Sequence, residues 1–258
     1  MKHIIEWGKL TWPEAQEAVE KMPACILPLG AIEAHGPHMT LDVDNGICTE
    51  QCRRICEKTG IILLPTIPMG QVWSLYRFPG TLTLSFYTMI AVIRDILRSL
   101  YDHGFRVVFI HSHHYGNVPA IKQAVRESYE EFAGKDIKFV ILEERGAMRK
   151  VAEQIRTSPC AHNIFQHACE VETSQALECC PECVYMDRAI RDYPRFTEDF
   201  DSTPTYWDEV TDTGVMGDAT AATKEKGTLL IGAEVEAMSQ KVNYVMKQYW
   251  QTHHYGGR

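Results

Sequence analysis

The sequence predicts an α/β fold, in which a mostly parallel sheet lies between two layers of helices as a three-layer α/β/α sandwich. Short apolar runs alternate along the chain with longer segments of helical periodicity. Some helical segments end at a glycine directly before the next apolar run, as helices in such folds often do. Histidines and carboxylates follow two of the apolar runs, at the strand ends where open α/β sheets carry their sites.

The apolar runs define the predicted strands. Each run is short, rich in Ile, Val, Leu or Phe, and bounded by glycine, proline or charged residues, which is typical of strands buried on both faces of a parallel sheet. The predicted strands are Ala24–Gly30, Ile61–Leu64, Arg106–Ile110 and Lys138–Leu142.

The predicted helices follow from apolar residues at helical spacing and from signals at their ends. Ser85 is the predicted N-cap of one helix, and Gly60 and Gly104 end two of them. The predicted helices are Asn45–Lys58, Phe86–His103, Val118–Phe132, Thr173–Glu178 and Ala233–Gln251.

Length and composition indicate one domain and exclude several functional classes. The chain has 258 residues, 45% of them hydrophobic, so we expect a single domain over residues 1–258. A net charge of −8 without long Lys/Arg runs argues against nucleic acid or an anionic membrane as partner and favours a small-molecule substrate. No apolar run approaches the ~20 residues of a membrane helix. The segment Met1–Trp7 lacks a signal-peptide core, so the expected location is the cytoplasm.

The nine cysteines are interpreted as reduced. Their number is odd, and the Cys-x-x-Cys pair Cys180 and Cys183 has no second pair with which to complete a zinc site. Cys48, Cys52 and Cys56 recur at every fourth position and so share one helical face, where cysteine behaves as a small buried hydrophobe.

The most informative stretch is Glu33-Ala-His35-Gly-Pro-His38, which Asp44 follows closely. Side chains two residues apart leave the same face of an extended chain, so Glu33 and His35 can face one point if the extension continues past Gly30. Asp44 would return to that point after the turn. Each residue taken alone also suits a surface or capping role, but together they indicate part of a metal site.

A second histidine cluster follows the predicted strand Arg106–Ile110, and His114 is its candidate ligand. Strand alternation predicts that His111 and His113 point away from such a site. Carboxylates and imidazoles without cysteine suit Zn, Mn, Fe or another divalent first-row metal, one or two per subunit. An aspartate shared by two ions ~3.5–4 Å apart would make a hydrolytic pair.

The order of these motifs resembles the creatininase family of metal-dependent hydrolases. The resemblance runs over almost the whole chain and implies a creatininase-like α/β fold, with ring-like hexamers as the family assembly. Six ordered segments carry it: Leu10–Glu14, Leu27–His38, Phe78–Thr81, Ser112–Asn117, His167–Ser174 and Gly214–Asp218.

The resemblance also implies residue roles. It assigns metal binding to Glu33, His35, Asp44 and His114, with Asp44 as the bridge. His167 would be the catalytic acid/base that hands a proton to the leaving nitrogen, a role suited to an imidazole. Glu172 would be either a further ligand or a catalytic-site residue that orients one.

The sequence departs from the family pattern at one expected ligand. Creatininase itself carries a metal-binding glutamate at the position of Gly116. Glu172 is the first candidate to replace that ligand, and Glu170 is the second. Ser112 and His113 stand where the family has Asn-Gly.

The resemblance implies hydrolysis of the C–N bond of a small cyclic amide or N-acyl substrate by metal-activated water. Creatinine itself is not expected, because Asn163–Gln166 stands where creatininases carry an aromatic residue before the catalytic histidine. One alternative is ring opening of a cyclic polyhydroxy-ketone, such as an oxidised inositol, at a C–C bond. A second is a non-catalytic assembly protein that holds a structural metal.

The stretch 188–212 is rich in Asp, Pro and aromatic residues and has no clear periodicity. Loops of this length in compact domains are usually functional or disordered, and the aromatic residues argue against disorder. We expect the loop either to close over the site, with Trp73 and Tyr76, or to pack against a neighbouring subunit. The candidate substrate-binding residues are Tyr115, His113 and Trp73.

Overall fold

A four-stranded parallel sheet forms the centre of the protein in a computed structural model, which describes residues 4–253. The strand order is β2-β1-β3-β4, so the two longest strands are central. The expected single domain covers residues 1–258, of which residues 1–3 and 254–258 lie outside the described part. The start of the segment Met1–Trp7, which was examined for a signal peptide, therefore also lies outside it. The strands are β1 Ala24–Leu29, β2 Ile62–Leu63, β3 Val107–Ser112 and β4 Lys138–Leu142.

Seven α-helices of the described residues surround the sheet. They are α1 Trp12–Lys21, α2 Val43–Thr59, α3 Phe86–Asp102, α4 Val118–Glu131, α5 Arg145–Ile155, α6 Glu170–Cys179 and α7 Lys224–Thr252. A small antiparallel pair, β5 Arg191–Asp192 with β6 Gly217–Asp218, lies apart from the main sheet.

Two hydrophobic clusters, one on each face of the sheet, produce the three layers. Alternate residues of β1 and β3 point to opposite faces, because side chains alternate along a strand. Ile26 and Phe109 pack with α2, α6 and α7, whereas Leu27 and Ile110 pack with α1, α3 and α4. The predicted α/β/α sandwich with a parallel sheet is therefore confirmed.

Most predicted elements are found, with errors at their ends. Ser85 caps α3 as predicted, since its hydroxyl accepts a hydrogen bond from the Thr88 amide at 3.2 Å. The last helix begins at Lys224 rather than Ala233, where Thr223 caps it and two early glycines hide the helical pattern. The helix predicted from Thr173 begins at Glu170. Helix α5 was not predicted, although its apolar residues have helical spacing.

Other expectations from composition can also be compared with the structure. All nine cysteines are free, and Cys48, Cys52 and Cys56 are buried in the core between α2 and the sheet. In the part of the chain from 4 to 253, none of the helices combines the length and apolar character needed to cross a bilayer.

Helices α6 and α7 lie close together at Gly227. A Cβ atom on this residue would lie 1.9 Å from the Ser174 carbonyl oxygen and 2.9 Å from Glu178 Cβ. The Ser174 hydroxyl also accepts a hydrogen bond from the Thr223 amide at 3.1 Å, at the start of α7. This contact fixes the position of α6, whose first turn carries Glu170 and Glu172.

We predict opposite effects for alanine at two glycines of α7. Gly227→Ala should lower the free energy of unfolding by about 1–3 kcal/mol, because the methyl group overlaps backbone atoms of α6. Gly232→Ala should raise it by about 0.5–1 kcal/mol, because no atom lies within 4 Å of the added Cβ and alanine favours the helix. Urea unfolding followed by circular dichroism measures both, and equal shifts would contradict the close contact.

Candidate metal centre

The candidate ligands meet at the carboxyl ends of β1 and β3, next to the first turns of two helices. Glu33 and His35 follow β1, and His114 follows β3. Asp44 lies in the first turn of α2 and Glu172 in the first turn of α6. Both carboxylates therefore lie at helix N-termini, where free amide groups and the helix dipole stabilise negative charge.

Glu33, Asp44 and His114 form the first cluster of potential ligand atoms. His114 Nδ1 lies 3.1 Å from Glu33 Oε2 and 3.3 Å from Asp44 Oδ2. On its other side, His114 Nε2 is 2.9 Å from the Gln71 carbonyl oxygen, to which it can only donate. That hydrogen bond leaves the lone pair of Nδ1 facing the carboxylates, as a metal ligand requires.

His35, Asp44 and Glu172 form the second cluster. His35 Nε2 lies 3.6 Å from Asp44 Oδ1 and 3.7 Å from Glu172 Oε1. His35 Nδ1 donates to the Glu33 carbonyl oxygen at 3.1 Å, which directs Nε2 at the carboxylates. Asp44 thus presents one oxygen to each cluster, Oδ1 to His35 and Oδ2 to His114.

The two clusters fit divalent metal ions. His35 Nε2 and Asp44 Oδ2 are buried and have no hydrogen-bond partner within residues 4–253. Separations of 3.6 and 3.7 Å exceed hydrogen-bond length. They resemble the roughly 3.4 Å between two ligand atoms that each lie ~2.1 Å from one ion at a tetrahedral angle. Nitrogen and oxygen donors without sulfur suit a first-row divalent metal.

The carboxylates and imidazoles of this centre shift one another's pKa values. Burial by itself lowers the pKa of His35, but the carboxylates of Asp44, Glu172 and Glu33 raise that pKa to about 10. Burial raises the pKa of Asp44, whereas His35 and His114 outweigh it and bring the pKa to about 2. The pKa of His114 is likewise raised by Glu33 and Asp44 against the effect of burial. Without metal, the carboxylates therefore hold protons on His35 and His114.

His167 lies beside the second cluster and forms a third group of potential ligand atoms with Glu33 and His35. Its Nε2 donates to the Ala34 carbonyl oxygen at 2.8 Å, and its Nδ1 is 3.6 Å from Glu172 Oε2. Its ring packs against His35, with centroids 4.2 Å apart. Burial and the neighbouring His35 lower the pKa of His167, which favours the neutral imidazole near pH 7.

A strained turn places His167 relative to Glu172. Ala168 has φ of 49°, in the left-handed region that residues with a side chain rarely adopt. In this conformation the Ala168 amide donates to Glu172 Oε2 at 2.6 Å. One carboxylate oxygen is thereby fixed by the backbone, and the other faces His35.

Three acidic or histidine side chains near the motifs have other partners. His111 is structural as expected, since its ring nitrogens lie 2.9 Å from the Leu142 carbonyl oxygen and 3.1 Å from Gln51 Oε1. Glu170, the second candidate ligand, faces away and pairs with Lys226. His38 is buried and bonds to the Thr173 hydroxyl at 2.9 Å.

The expectation that His113 points away from the site is wrong. The strand ends at Ser112, so the alternation of side chains does not continue to the next residue. His113 is buried, and its Nε2 lies 3.6 Å from Glu172 Oε1.

A cavity of about 770 Å³ opens over the two clusters. Trp73, Tyr115 and His113, the three residues predicted to bind substrate, all line it, whereas Tyr76 does not. The stretch 188–212 contributes Phe200 and Trp207 to the wall of the cavity. This agrees with the expectation that the loop closes over the site. Trp207 packs edge-on against His167, with ring centroids 5.3 Å apart.

The roof of the cavity is held by contacts between two loops. Trp73 stacks on Tyr206 with centroids 4.4 Å apart, and the Trp207 amide donates to the Ser74 carbonyl oxygen at 2.8 Å. Arg77 lies 3.9 Å from the centroid of the Tyr206 ring.

Helix α5 supplies the opposite wall of the cavity, which the sequence interpretation missed. Arg145, Met148 and Ala152 line it. Arg145 lies 5.2 Å from the centroid of the Tyr115 ring. The apolar spacing of Met148, Val151, Ala152 and Ile155 was the available signal for this helix.

Similarity to known proteins identifies the family of this chain. The sequence profile of the creatininase family, described as creatinine amidohydrolase, matches residues 8–242. The chain belongs to the creatininase family. It is accordingly a hydrolase with the fold of that family.

Individual relatives and a solved structure are also similar to this chain. A creatinine amidohydrolase of Pseudomonas putida is 29% identical over 94% of this chain and 97% of its own length. A mycofactocin precursor peptide peptidase of Mycobacterium ulcerans (strain Agy99) is 28% identical over 70% of this chain and 68% of its own length. A solved structure of a mutant creatininase of the Zn-Zn type superposes with a TM-score of 0.85, at 28% identity over 94% of this chain and 98% of that one.

Within the creatininase fold, Gly116 is the position that lacks the expected glutamate. A Cβ atom there would lie 2.4 Å from His114 Nε2 and 2.6 Å from the Gln71 carbonyl oxygen. These two atoms form the hydrogen bond that orients His114. The chain therefore has no room for a side chain at position 116 unless this bond is displaced.

We predict that Gly116→Ala weakens divalent metal binding by about 10–100-fold, because the methyl group would separate His114 from the carbonyl that orients it. Gly146→Ala is the matched control, since no atom lies within 4 Å of a Cβ there. Competition for zinc with a chromophoric chelator measures both affinities. Equal affinities in the two variants would show that the Gln71 contact does not support His114.

We also predict that metal binding releases protons. The pKa of His35, raised to about 10, means that the metal-free protein holds a proton there at pH 7, and an ion must displace it. Titration calorimetry in buffers of different ionisation enthalpy should show at least one proton released per subunit. The affinity for the metal ion should fall as the pH decreases, because protons then compete more strongly with the ion for His35. An enthalpy independent of the buffer would contradict this electrostatic account.

Proposed function

We propose that this protein is a metal-dependent hydrolase that cleaves the C–N bond of a small cyclic amide or N-acyl substrate. The observation that carries the proposal is the placement of Asp44 between two ligand clusters, one oxygen toward each, with His167 alongside. Relatives named as an amidohydrolase and a peptidase support a C–N bond as the target.

The proposed ligands divide between two divalent ions. Glu33, His114 and Asp44 would hold one ion, and His35, Glu172 and Asp44 the other. We propose zinc or manganese, with iron as a further option, because all suit carboxylate and imidazole donors. When bound, such ions polarise a carbonyl group and lower the pKa of water.

His167 is the proposed acid/base. Its Nε2–H is engaged with the Ala34 carbonyl, so Nδ1 is the atom that can accept and return a proton. The lowered pKa of His167 keeps Nδ1 unprotonated near pH 7, so this atom can accept a proton and pass it to the leaving nitrogen. Glu172 lies 3.6 Å away and stabilises the imidazolium that forms.

The cavity supports substrates of moderate size. Its volume of about 770 Å³ falls in the range of ~300–1,000 Å³ that binds drug-sized molecules. Trp73 and Tyr115 would contact the part of the substrate away from the scissile bond, and Trp207 would pack on its reacting end. This space admits N-acyl compounds larger than a single ring, including short peptides.

The two other functions considered have less support. Membership of a hydrolase family removes the basis for a non-catalytic assembly protein. Opening of a cyclic polyhydroxy-ketone has less support from the relatives, because the one named as an inosose hydrolase is 24% identical over 74% of this chain, whereas the amidohydrolase is 29% identical over 94%.

We further propose that a single domain works as a homo-oligomer in the cytoplasm, with a hexamer as the family resemblance implies. Several large aromatic side chains are exposed away from the cavity and offer contact surface to other subunits. They include Trp12, Tyr87, Tyr129 and Tyr244.

Two variants test the proposed hydrolase, with metal content and turnover as readouts. Asp44→Ala should lose both ions, because it removes an oxygen from each cluster. His167→Ala should keep both ions and lose about 10²–10⁴-fold in turnover of cyclic amides or N-acyl amino acids. The measurements are metal content per subunit, by mass spectrometry on protein prepared without chelator, and amide hydrolysis.

His103→Ala, at an exposed histidine beyond α3, is the control for both readouts. Metal content that does not change in Asp44→Ala would refute the shared-carboxylate centre. Turnover that does not change in His167→Ala would remove the proposed acid/base.

A further inference from the structure

We propose that His113 binds the second divalent ion through Nε2 and so takes the place of the glutamate that creatininase carries at the position of Gly116. This inference rests on the proposed metal centre and specifies its ligand set. The second ion would then be held by two carboxylates, Asp44 and Glu172, and two imidazoles, His35 and His113.

The environment of His113 Nε2 suits an atom that binds a metal ion. The atom is buried and has no hydrogen-bond partner among the described residues. Its neighbour is Glu172 Oε1, at 3.6 Å. The same oxygen lies 3.7 Å from His35 Nε2, so one carboxylate oxygen is flanked by two imidazole nitrogens at nearly equal distance. Both distances are too long for hydrogen bonds, and each suits a pair of atoms that share an ion. His113 lies outside the group that His35, Asp44 and Glu172 form, so its ring would turn toward that group when the ion binds.

The backbone around His113 is fixed in a way that directs two consecutive histidines into the site. Arg145 donates to the His113 carbonyl oxygen at 2.6 Å. The Ser112 hydroxyl donates to the His114 carbonyl oxygen at 2.9 Å and accepts from Asn117 Nδ2 at 3.1 Å. With these carbonyls occupied, the turn after β3 holds both imidazoles beside the carboxylates.

The substitutions within this motif compensate each other. The family pattern Asn-Gly-His-Gly-Gly-Asn has no side chain at the second position, where this chain has His113. Conversely, this chain has no side chain at Gly116, where the space is taken by the bond between His114 and Gln71. The metal-binding side chain that is absent at Gly116 is thus replaced by the imidazole of His113, at the other end of the same turn.

Exchange of a carboxylate for an imidazole changes the chemistry of the second ion. The site loses one negative charge and gains a nitrogen donor. Nitrogen-rich sites favour zinc, cobalt and nickel over manganese, which prefers oxygen donors. We therefore expect the second site to select zinc or cobalt over manganese, and this selectivity should depend on His113.

The test uses the full chain loaded with cobalt(II), whose visible absorption reports its ligands. His113→Gly, which restores the residue of the family motif, should weaken binding of the second ion by at least ~100-fold, more than the loss of an outer hydrogen bond costs. Its cobalt spectrum should change, and millimolar imidazole should restore the parent spectrum by filling the vacated position. His113→Gln should show the same loss without rescue.

His162→Gly serves as the control, because this histidine pairs with Asp201 and belongs to neither cluster. A cobalt spectrum and a second-ion affinity that match the parent in both His113 variants would overturn the assignment. Asp44→Ala separates the two proposals: if it loses both ions while the His113 variants keep them, the metal centre stands and the role of His113 falls. A parent that takes up no divalent ion would overturn both.

Discussion

The structure depends on holding three carboxylates close together at one edge of the sheet, two of them buried and the third, Glu172, half-buried. Glu33, Asp44 and Glu172 would repel one another strongly in a low-dielectric interior if nothing compensated them. Imidazoles placed among them supply that compensation, and two helix N-termini add to it. The elements around the site are arranged to keep this group of charges together. Strands β1 and β3 end at it, α2 and α6 begin at it, and α7 holds α6 in place through Gly227.

The sequence could predict the fold because the signals that specify it are local. Glycines mark helix ends, Ser85 marks a helix start, and apolar runs such as 138–142 mark strands. Errors arose where local signals conflict with long-range packing. The glycines early in α7 weaken its helical pattern, yet one of them is required for contact with Ser174. Helix propensity at these residues is overridden by the packing of α7 on α6.

The candidate site was predicted less completely than the fold, because it too depends on contacts between distant parts of the chain. Glu33, His35 and Asp44 come from one continuous stretch, so spacing could relate them. Glu172 and His167 could be related to them only by family resemblance, because β1 and α6 lie far apart in the sequence. The orientation of His113 depends on where β3 ends, and that end is set by hydrogen bonds to Arg145 and Asn117. No pattern in the sequence reports such contacts, nor the packing of Trp207 on His167.

The parts that hold the ions and the parts that surround the substrate come from different regions of the chain. Strand ends and helix starts of the scaffold carry the candidate ligands. Helix α5 and the loop around Trp207 carry a large part of the cavity wall and none of the residues in either cluster. Mutations in the wall can therefore accumulate without disturbing the buried charges. A duplicated gene of this kind could acquire a new substrate by changing only the wall, which gives a structural reason why one family includes enzymes for substrates as different as creatinine and a precursor peptide.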